Sequence, residues 1–196
     1  AETDAVKLFE AVLEPGDRVC IEGTNQKHAQ ALSRALAQVD PQRIHSLHIL
    51  QSTLNLPEHL DIFEKGIART IDFSYAGAQA RRLAQLVLAG RIEIGAIHTY
   101  VELYSRYFLD LQPRVALIAA LSADKRGNLY TGGNTEDTPA IVEATKFKQG
   151  IVIAQVNEIV DGLPRVDIPA DWVDYIVPTA EPFHLEALFT RDPAKI

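Results

Sequence analysis

The sequence predicts an α/β protein built on an open, mostly parallel sheet with helices on both faces. Three observations carry that prediction. Strand-like segments alternate with helix-like ones along the chain, an order that builds parallel sheets covered on both sides. Several of the strand-like segments, among them "VALIAAL" (115–121) and "GIVIAQV" (150–156), are unbroken apolar runs, as strands buried on both faces are. With 196 residues, 47% hydrophobic and 23% charged, the chain is long and apolar enough for one domain with a sizeable core.

The elements follow in order. Thr3 and Asp4 cap a helix that runs to about Leu13, where "EPGD" ends it. "RVCIEG" (18–23) is a buried strand, and "TNQKHAQALSRALAQ" (24–38) has helical periodicity, with Asn25 and Gln26 at its head. "IHSLHIL" (44–50) reads as a strand and "PEHLDIFEKG" (57–66) as a helix with Pro57 near its first turn. "TIDFSY" (70–75) is a strand before the helix of "AQARRLAQLVLAG" (78–90). "RIEIGAI" (91–97) is a strand, "HTYVELYSRYF" (98–108) a helix, and "VALIAAL" a strand. A long loop then leads into the helix "PAIVEATKF" (139–147), which precedes the strand "GIVIAQV". The passage from Asp161 to Pro169 is an extended loop, and "DWVDYIV" (171–177) a last short strand.

Composition excludes some functions. A net charge of −7 without any basic run argues against nucleic-acid binding, which needs clustered Lys and Arg to neutralise phosphates. Cys20 is the sole cysteine, so no intramolecular disulfide forms, and a reducing compartment such as the cytoplasm is expected. No apolar run is long enough to predict a membrane span. The missing Met at position 1 and the abrupt close "LFTRDPAKI" predict that the natural chain extends beyond both ends.

In an open parallel sheet, ligands bind where the carboxyl ends of the strands meet the loops that follow. Four such loops stand out: "EGTNQ" (22–26), "SYAG" (74–77), "HTYVE" (98–102), and the long loop within "ADKRGNLYTGGNTEDTPAIVEA" (123–144). None carries a phosphate-loop or dinucleotide glycine pattern, and Glu136 and Asp137 at the coming helix entrance would repel a phosphate. What remains in the long loop is a neutral set of donors including Asn128, Thr131, Asn134 and Thr135, with Gly132 and Gly133 between them. Such a set suits a carbonyl, amide or thioester, and the same residues also serve plain tight turns. "EGTNQ" is open to the same two readings. It is a plain structural turn, or a loop in which Gly23 lets the backbone approach a ligand closely, with Asn25 and Gln26 at a helix head whose free N–H groups face an oxyanion. In the second reading a β-branched residue at Gly23 would crowd the approach and largely spare the fold.

His98 follows a predicted interior strand and is a candidate either for the ligand crevice or for a hydrogen-bonded structural role. His45 and His48, three apart in a predicted strand, point to opposite faces, and no metal-ligand spacing appears. Cys20 lies inside a strand and reads as core. Glu22, Glu102 and Glu136 stand near strand ends, with no spacing that pairs any two of them.

The order of these pieces resembles the coenzyme A transferase superfamily. "HTYVEL", "VALIAALSADKRGNLYTGGNTEDTPAIVEATKFKQGIVIAQVNEIV" and "DWVDYIV" match its succession of strand, D-x-x-G turn, Gly-rich loop, helix and "IAQVN" strand, and "SYAG" falls at its Ser-Tyr-x-Gly turn. Where coenzyme A transferases commonly follow that glycine with glutamate, this chain has Ala78. Within the superfamily, "EGTNQKHAQALSRALAQVDP", "NLPEHLDIFEKGIA", "NLYTGGNTEDTPA" and "VNEIVDGLPRVDIPADWVDY" resemble the alpha-subunit family of the biotin-independent malonate decarboxylases.

That resemblance implies a coenzyme A transferase-like half, with residues 1–196 as an N-terminal α/β domain and a second similar half absent. It implies an acyl-carrier-protein transferase, giving malonyl-carrier and free acetate from acetyl-carrier and malonate, in which these residues alone are inactive because the nucleophile of related coenzyme A transferases comes from the other half. The implied partners are the acyl carrier protein and the other malonate decarboxylase subunits. No cofactor is expected on this chain, the pantetheine-type group being carried by the carrier protein. His98 and Asn128 are then expected at the reacting centre, and Gly23, Asn25, Gln26, Gly132, Gly133 and Asn134 against the pantetheine and thioester. The alternatives are a citrate lyase alpha subunit, a short-chain acyl-CoA transferase, or a noncatalytic domain that docks the carrier or a sister subunit.

Overall fold

The computed structural model describes residues 2–23, 27–133, 135 and 137–179. Its sheet is formed by β1 (Arg18–Ile21), β2 (Leu47–Thr53), β3 (Ala68–Tyr75), β4 (Glu93–Ile97), β5 (Val115–Asp124), β6 (Leu129–Tyr130), β7 (Ile151–Val160) and β8 (Tyr175–Pro178). The order across the sheet is β4-β3-β2-β1-β5-β7-β8, all parallel, with the short β6 paired antiparallel to β5. β2 to β4 extend to one side of β1, and β5, β7 and β8 to the other. The strand order therefore reverses between β1 and β5, and the crevice beyond their carboxyl ends is where a ligand site is expected.

Six α-helices cover the sheet among the described residues: α1 (Glu2–Val12), α2 (Gln30–Leu36), α3 (Glu58–Glu64), α4 (Ala80–Leu88), α5 (Tyr100–Leu109) and α6 (Thr138–Phe147). The core divides by sheet face, as strand alternation dictates. Phe9, Leu32, Leu36, Leu60, Phe63 and Leu83 from α1 to α4 pack on one face against Val19, Ile21, Ile49 and Ile71. Leu103, Tyr107, Ile141 and Val142 from α5 and α6 pack on the other against Cys20, Leu50, Ala116 and Ile118. Cys20 is thus a buried core thiol. No described helix is long and apolar enough to cross a membrane.

Most elements fall near where the sequence places them, with corrections. Thr3 and Asp4 lie inside α1 and do not cap it, and Asp171 and Trp172, expected in the last strand, belong to a 3-10 turn (Ala170–Trp172) before β8. The helix after β1 begins at Gln30, not at Thr24, because Lys27 turns inward and His28 forms an antiparallel bridge with Gly23. Asn25 and Gln26 lie outside the described residues, and the helix start does not coincide with them. β2 runs from Leu47 to Thr53, three residues further than its apolar run, so Gln51, Ser52 and Thr53 are carried, fully buried, to its carboxyl end. The long loop contains β6, a two-residue strand too short to show any period.

Candidate active site

Two loops meet at the switch point. The first leaves β1 at Glu22, whose N–H still bonds Leu117 O in β5 at 2.8 Å, while Gly23 O accepts from Thr53 N at 3.0 Å and Ser52 Oγ at 2.9 Å. A Cβ on Gly23 would lie 2.4 Å from Gln51 Nε2, 3.1 Å from Thr53 O and 3.3 Å from His59 Cε1. The glycine is therefore required by this chain's own packing against β2 and α3. Gln51 Nε2 sits 2.9 Å from His59 Nδ1. Burial, helped by neighbouring His28, holds His59 neutral by pushing its pKa down to about 3.

Beneath this loop lies a buried polar cluster. Lys27 and Glu22 form an ion pair at 2.9 Å, with neither side chain exposed. The Thr138 hydroxyl at the start of α6 accepts from Lys27 Nζ and donates to Glu22 Oε1, and the other carboxylate oxygen accepts from Ala119 N at 2.7 Å. Burial pushes the Glu22 carboxyl up from the usual range, against the opposing charge of Lys27 and these hydrogen bonds. Both Glu22 oxygens are engaged by groups of the protein. Its role is to brace β1, β5 and α6.

Asp137, one residue earlier, is buried between Ser52 and Tyr104, both of which bond its carboxyl group. The Ser52 hydroxyl faces two acceptors, this carboxyl and Gly23 O, but has one proton to give. Both contacts are satisfied when Asp137 itself carries a proton, and burial raises its pKa in that direction. A carboxyl raised in the folded state contributes stability that is full below its unfolded value and is lost as pH rises through its folded value. Asp137→Asn keeps both contacts without a titrating group. Its melting temperature is expected to decline less than wild type as pH rises above the ordinary carboxylate range; parallel melting profiles would refute the assignment.

The second loop begins with a tight turn. Asn128 donates from Nδ2 to Asp124 Oδ2 at 2.8 Å, donates from its backbone to Asp124 Oδ1 at 2.9 Å, and accepts at Oδ1 from Ala170 N at 2.9 Å. Both ends of its amide are thus spent on the β5–β6 turn and the neighbouring chain, which is the turn role the sequence left open. Thr131 is tied to Asp167 through N and Oγ1, and Gly132, at φ 91°, offers its carbonyl to Arg165 at 3.0 Å. Nothing lies within 4 Å of where a Gly133 Cβ would sit, so this glycine faces open space. Asn134 and Glu136 lie outside the described residues.

His98 is placed beneath α5, with 1% of its side chain exposed. Its Nε2 is 2.6 Å from Asp72 Oδ1, while His48 Nε2 is 2.7 Å from Asp72 Oδ2, so one carboxylate in β3 joins two imidazoles. Burial alone would raise the Asp72 pKa, but the hydrogen bonds from His48 and His98 outweigh it and hold the group below the usual range. Among the described residues, the hydrogen bonds and ion pairs of His98 run to Asp72, Phe73 and Glu102, not to the loop after β1. The geometry fills the structural reading of this histidine. His98→Ala, which strips a partner from a buried carboxylate, is expected to cost about 1–3 kcal/mol, and His98→Gln, which still donates, less. Equal urea midpoints for the two variants would show that the bond to Asp72 carries none of the stability.

The residues that tie the crevice together, Lys27, Ser52, Tyr104, Asp137 and Thr138, were not singled out as site residues by the sequence. A usable signal was present in "LQST": three polar residues closing an otherwise apolar interior strand. Among the described residues, no group of three or more His, Cys, Asp or Glu is arranged to hold a metal ion.

The described geometry is that of a known group of proteins. The family model described as "Malonate decarboxylase, alpha subunit, transporter" matches residues 1–196. The chain belongs to the malonate decarboxylase alpha subunit family. It is 58% identical over 193 residues to the acetyl-S-ACP:malonate ACP transferase of Malonomonas rubra, covering 98% of this chain and 35% of that protein. The alpha subunit of a malonate decarboxylase from Acinetobacter baumannii superposes with a TM-score of 0.92 at 56% identity, over 98% of this chain and 36% of that one. A Pseudomonas malonate decarboxylase hetero-tetramer in complex with malonate gives 0.93 at 57%, with the same coverage. The chain thus spans about a third of the length of its malonate decarboxylase relatives. An acyl-CoA transferase from Escherichia coli O157:H7, 16% identical with a TM-score of 0.73, shares the fold, confirming the coenzyme A transferase-like architecture expected for this alpha-subunit chain.

Proposed function

We propose that this chain is the N-terminal domain of an acyl-carrier-protein transferase that gives malonyl-carrier and free acetate from acetyl-carrier and malonate. The observation that carries this reading is the 58% identity, over 98% of the chain, to a protein of that activity. The local geometry supports it: two glycine-bearing loops converge at the switch point of a parallel sheet, and the sequence of neither is a phosphate-binding pattern.

In the proposed reaction a malonate carboxylate oxygen attacks the acetyl thioester carbonyl, forming a mixed anhydride and expelling the carrier thiolate. That thiolate attacks the malonyl carbonyl, the new thioester forms, and acetate leaves. Such chemistry needs orientation and oxyanion stabilisation more than a strong base. In this reading the pantetheine and thioester lie against the second loop at Gly132 and Gly133, Gly23 sets the packing of the first loop on β2, and the expected contacts of Asn25, Gln26 and Asn134 fall outside the described residues. Asn128 shapes the turn that presents the second loop, and His98 supports α5 from below. The carrier protein and sister subunits of a malonate decarboxylase are the proposed partners, and the cytoplasm the proposed location.

The test uses the full-length protein with holo carrier protein. Acetyl-carrier and malonate are incubated with it, and the carrier is weighed by mass spectrometry. Conversion to malonyl-carrier is expected. Transfer to citrate in place of malonate would move the protein to citrate lyase chemistry, and carrier binding without turnover would make it a docking subunit.

A further inference from the structure

We infer that Glu22, Lys27 and Thr138 form a positioning device that couples the two loops of the crevice. Glu22 stands immediately before the first loop and Lys27 after it, and their ion pair closes that loop at its base. The Thr138 hydroxyl, bonded to both charges, fixes the end of the second loop to the same point. The other end of the second loop is held independently, at Thr131 by Asp167 and at Gly132 by Arg165. The two described ends of the second loop, Gly132 and Thr138, are therefore anchored separately, and the anchor of Thr138 is the base of the first loop.

A buried ion pair is a poor way to gain stability, since an apolar pair of similar volume does as well or better. What it supplies here is direction. The charged pair accepts one arrangement of hydroxyl, ammonium and carboxylate, and Ala119 N on β5 locks the remaining carboxylate oxygen. Lys27 and Glu22 touch no substrate in this account. They act by holding two substrate-facing segments in register, so the inference rests on the transferase reading proposed above.

The test is made on the full-length protein with Thr138→Val, which keeps the shape but removes the hydroxyl, and Thr138→Ser, which restores it. Thr138→Val is expected to lower kcat for transfer by on the order of tenfold to a hundredfold, with KM for acetyl-carrier changed by less than about threefold, as misplacement by about an ångström would. Thr138→Ser is expected to return most of the rate. In parallel, amide hydrogen exchange at residues 22–29 is expected to quicken selectively in Thr138→Val and to recover in Thr138→Ser. Wild-type kinetics in Thr138→Val, unchanged exchange at 22–29, or exchange that rises uniformly over the whole sheet would each overturn the coupling. A wild-type protein that transfers nothing to malonate would defeat the transferase reading instead, and the exchange measurement would still decide whether the loops are coupled.

Discussion

Lys27→Met is expected to lower the unfolding free energy by about 3–5 kcal/mol near neutral pH, the cost of leaving one member of a buried ion pair without its partner. Glu22 then keeps the Thr138 and Ala119 bonds but loses the charge that offsets its burial. Its pKa, already raised by burial, rises further, and the sign of the pH dependence follows. The stability linked to a raised carboxyl is present below its unfolded value and lost as pH rises through its folded one. The deficit of Lys27→Met relative to wild type is thus expected to be smaller at about pH 5 than at about pH 7.5, by urea unfolding at each. Glu22→Gln combined with Lys27→Met removes both charges, and should recover a large part of the loss. Losses that simply add, with no dependence on pH, would refute the ion-pair account.

The contrast between β5 and the first loop shows how far this sequence could be read. β5 was legible because a strand buried on both faces has no choice but an apolar run, and "VALIAAL" is one. The alternation of such runs with amphipathic helices fixed the parallel sheet in the same way. β2 was misplaced by three residues for the converse reason: Gln51, Ser52 and Thr53 are polar, yet fully buried, because they bond Gly23, His59, Asp137 and Tyr100 across the crevice. Nothing local marks such residues as strand; their partners are far along the chain. The helix expected from Thr24 failed similarly. Among the described residues the helix begins at Gln30, because the inward ion pair of Lys27 and the bridge of His28 outweigh helical propensity over residues 27–29. For the candidate site, the sequence singled out loops but not what joins them, since Lys27 meets Thr138 across 111 positions of chain. His98 and Asn128 carried polar groups to strand and turn ends, as read, and the partners that occupy those groups, Asp72 for one and Asp124 and Ala170 for the other, became visible only in three dimensions.

Gly23 is where this difference has its largest consequence for an experiment. The sequence made it a place where a ligand approaches the backbone, so that valine there would slow the reaction and spare the fold. The space beside its Cα is instead filled by the protein, with Gln51 Nε2 at 2.4 Å and the Thr53 carbonyl at 3.1 Å from a Cβ. Gln51 is a flexible side chain and can yield, but Thr53 O belongs to the backbone of β2 and is fixed by the sheet. Gly23→Ala is therefore expected to cost about 1–3 kcal/mol by overpacking, and Gly23→Val more, because its two further methyl groups enlarge a side chain whose Cβ is already crowded by Gln51, Thr53 and His59. Any fall in turnover would follow from displaced β2 packing rather than from a blocked ligand. The discriminating experiment is a double-mutant cycle in urea with Gln51→Ala. If crowding against Gln51 is the cause, Gly23→Ala in the Gln51→Ala background costs much less than in wild type, giving a coupling of about 1 kcal/mol. A strictly additive cycle, together with a full-length Gly23→Ala protein of wild-type stability and depressed kcat/KM, would return Gly23 to the ligand-facing side of the loop.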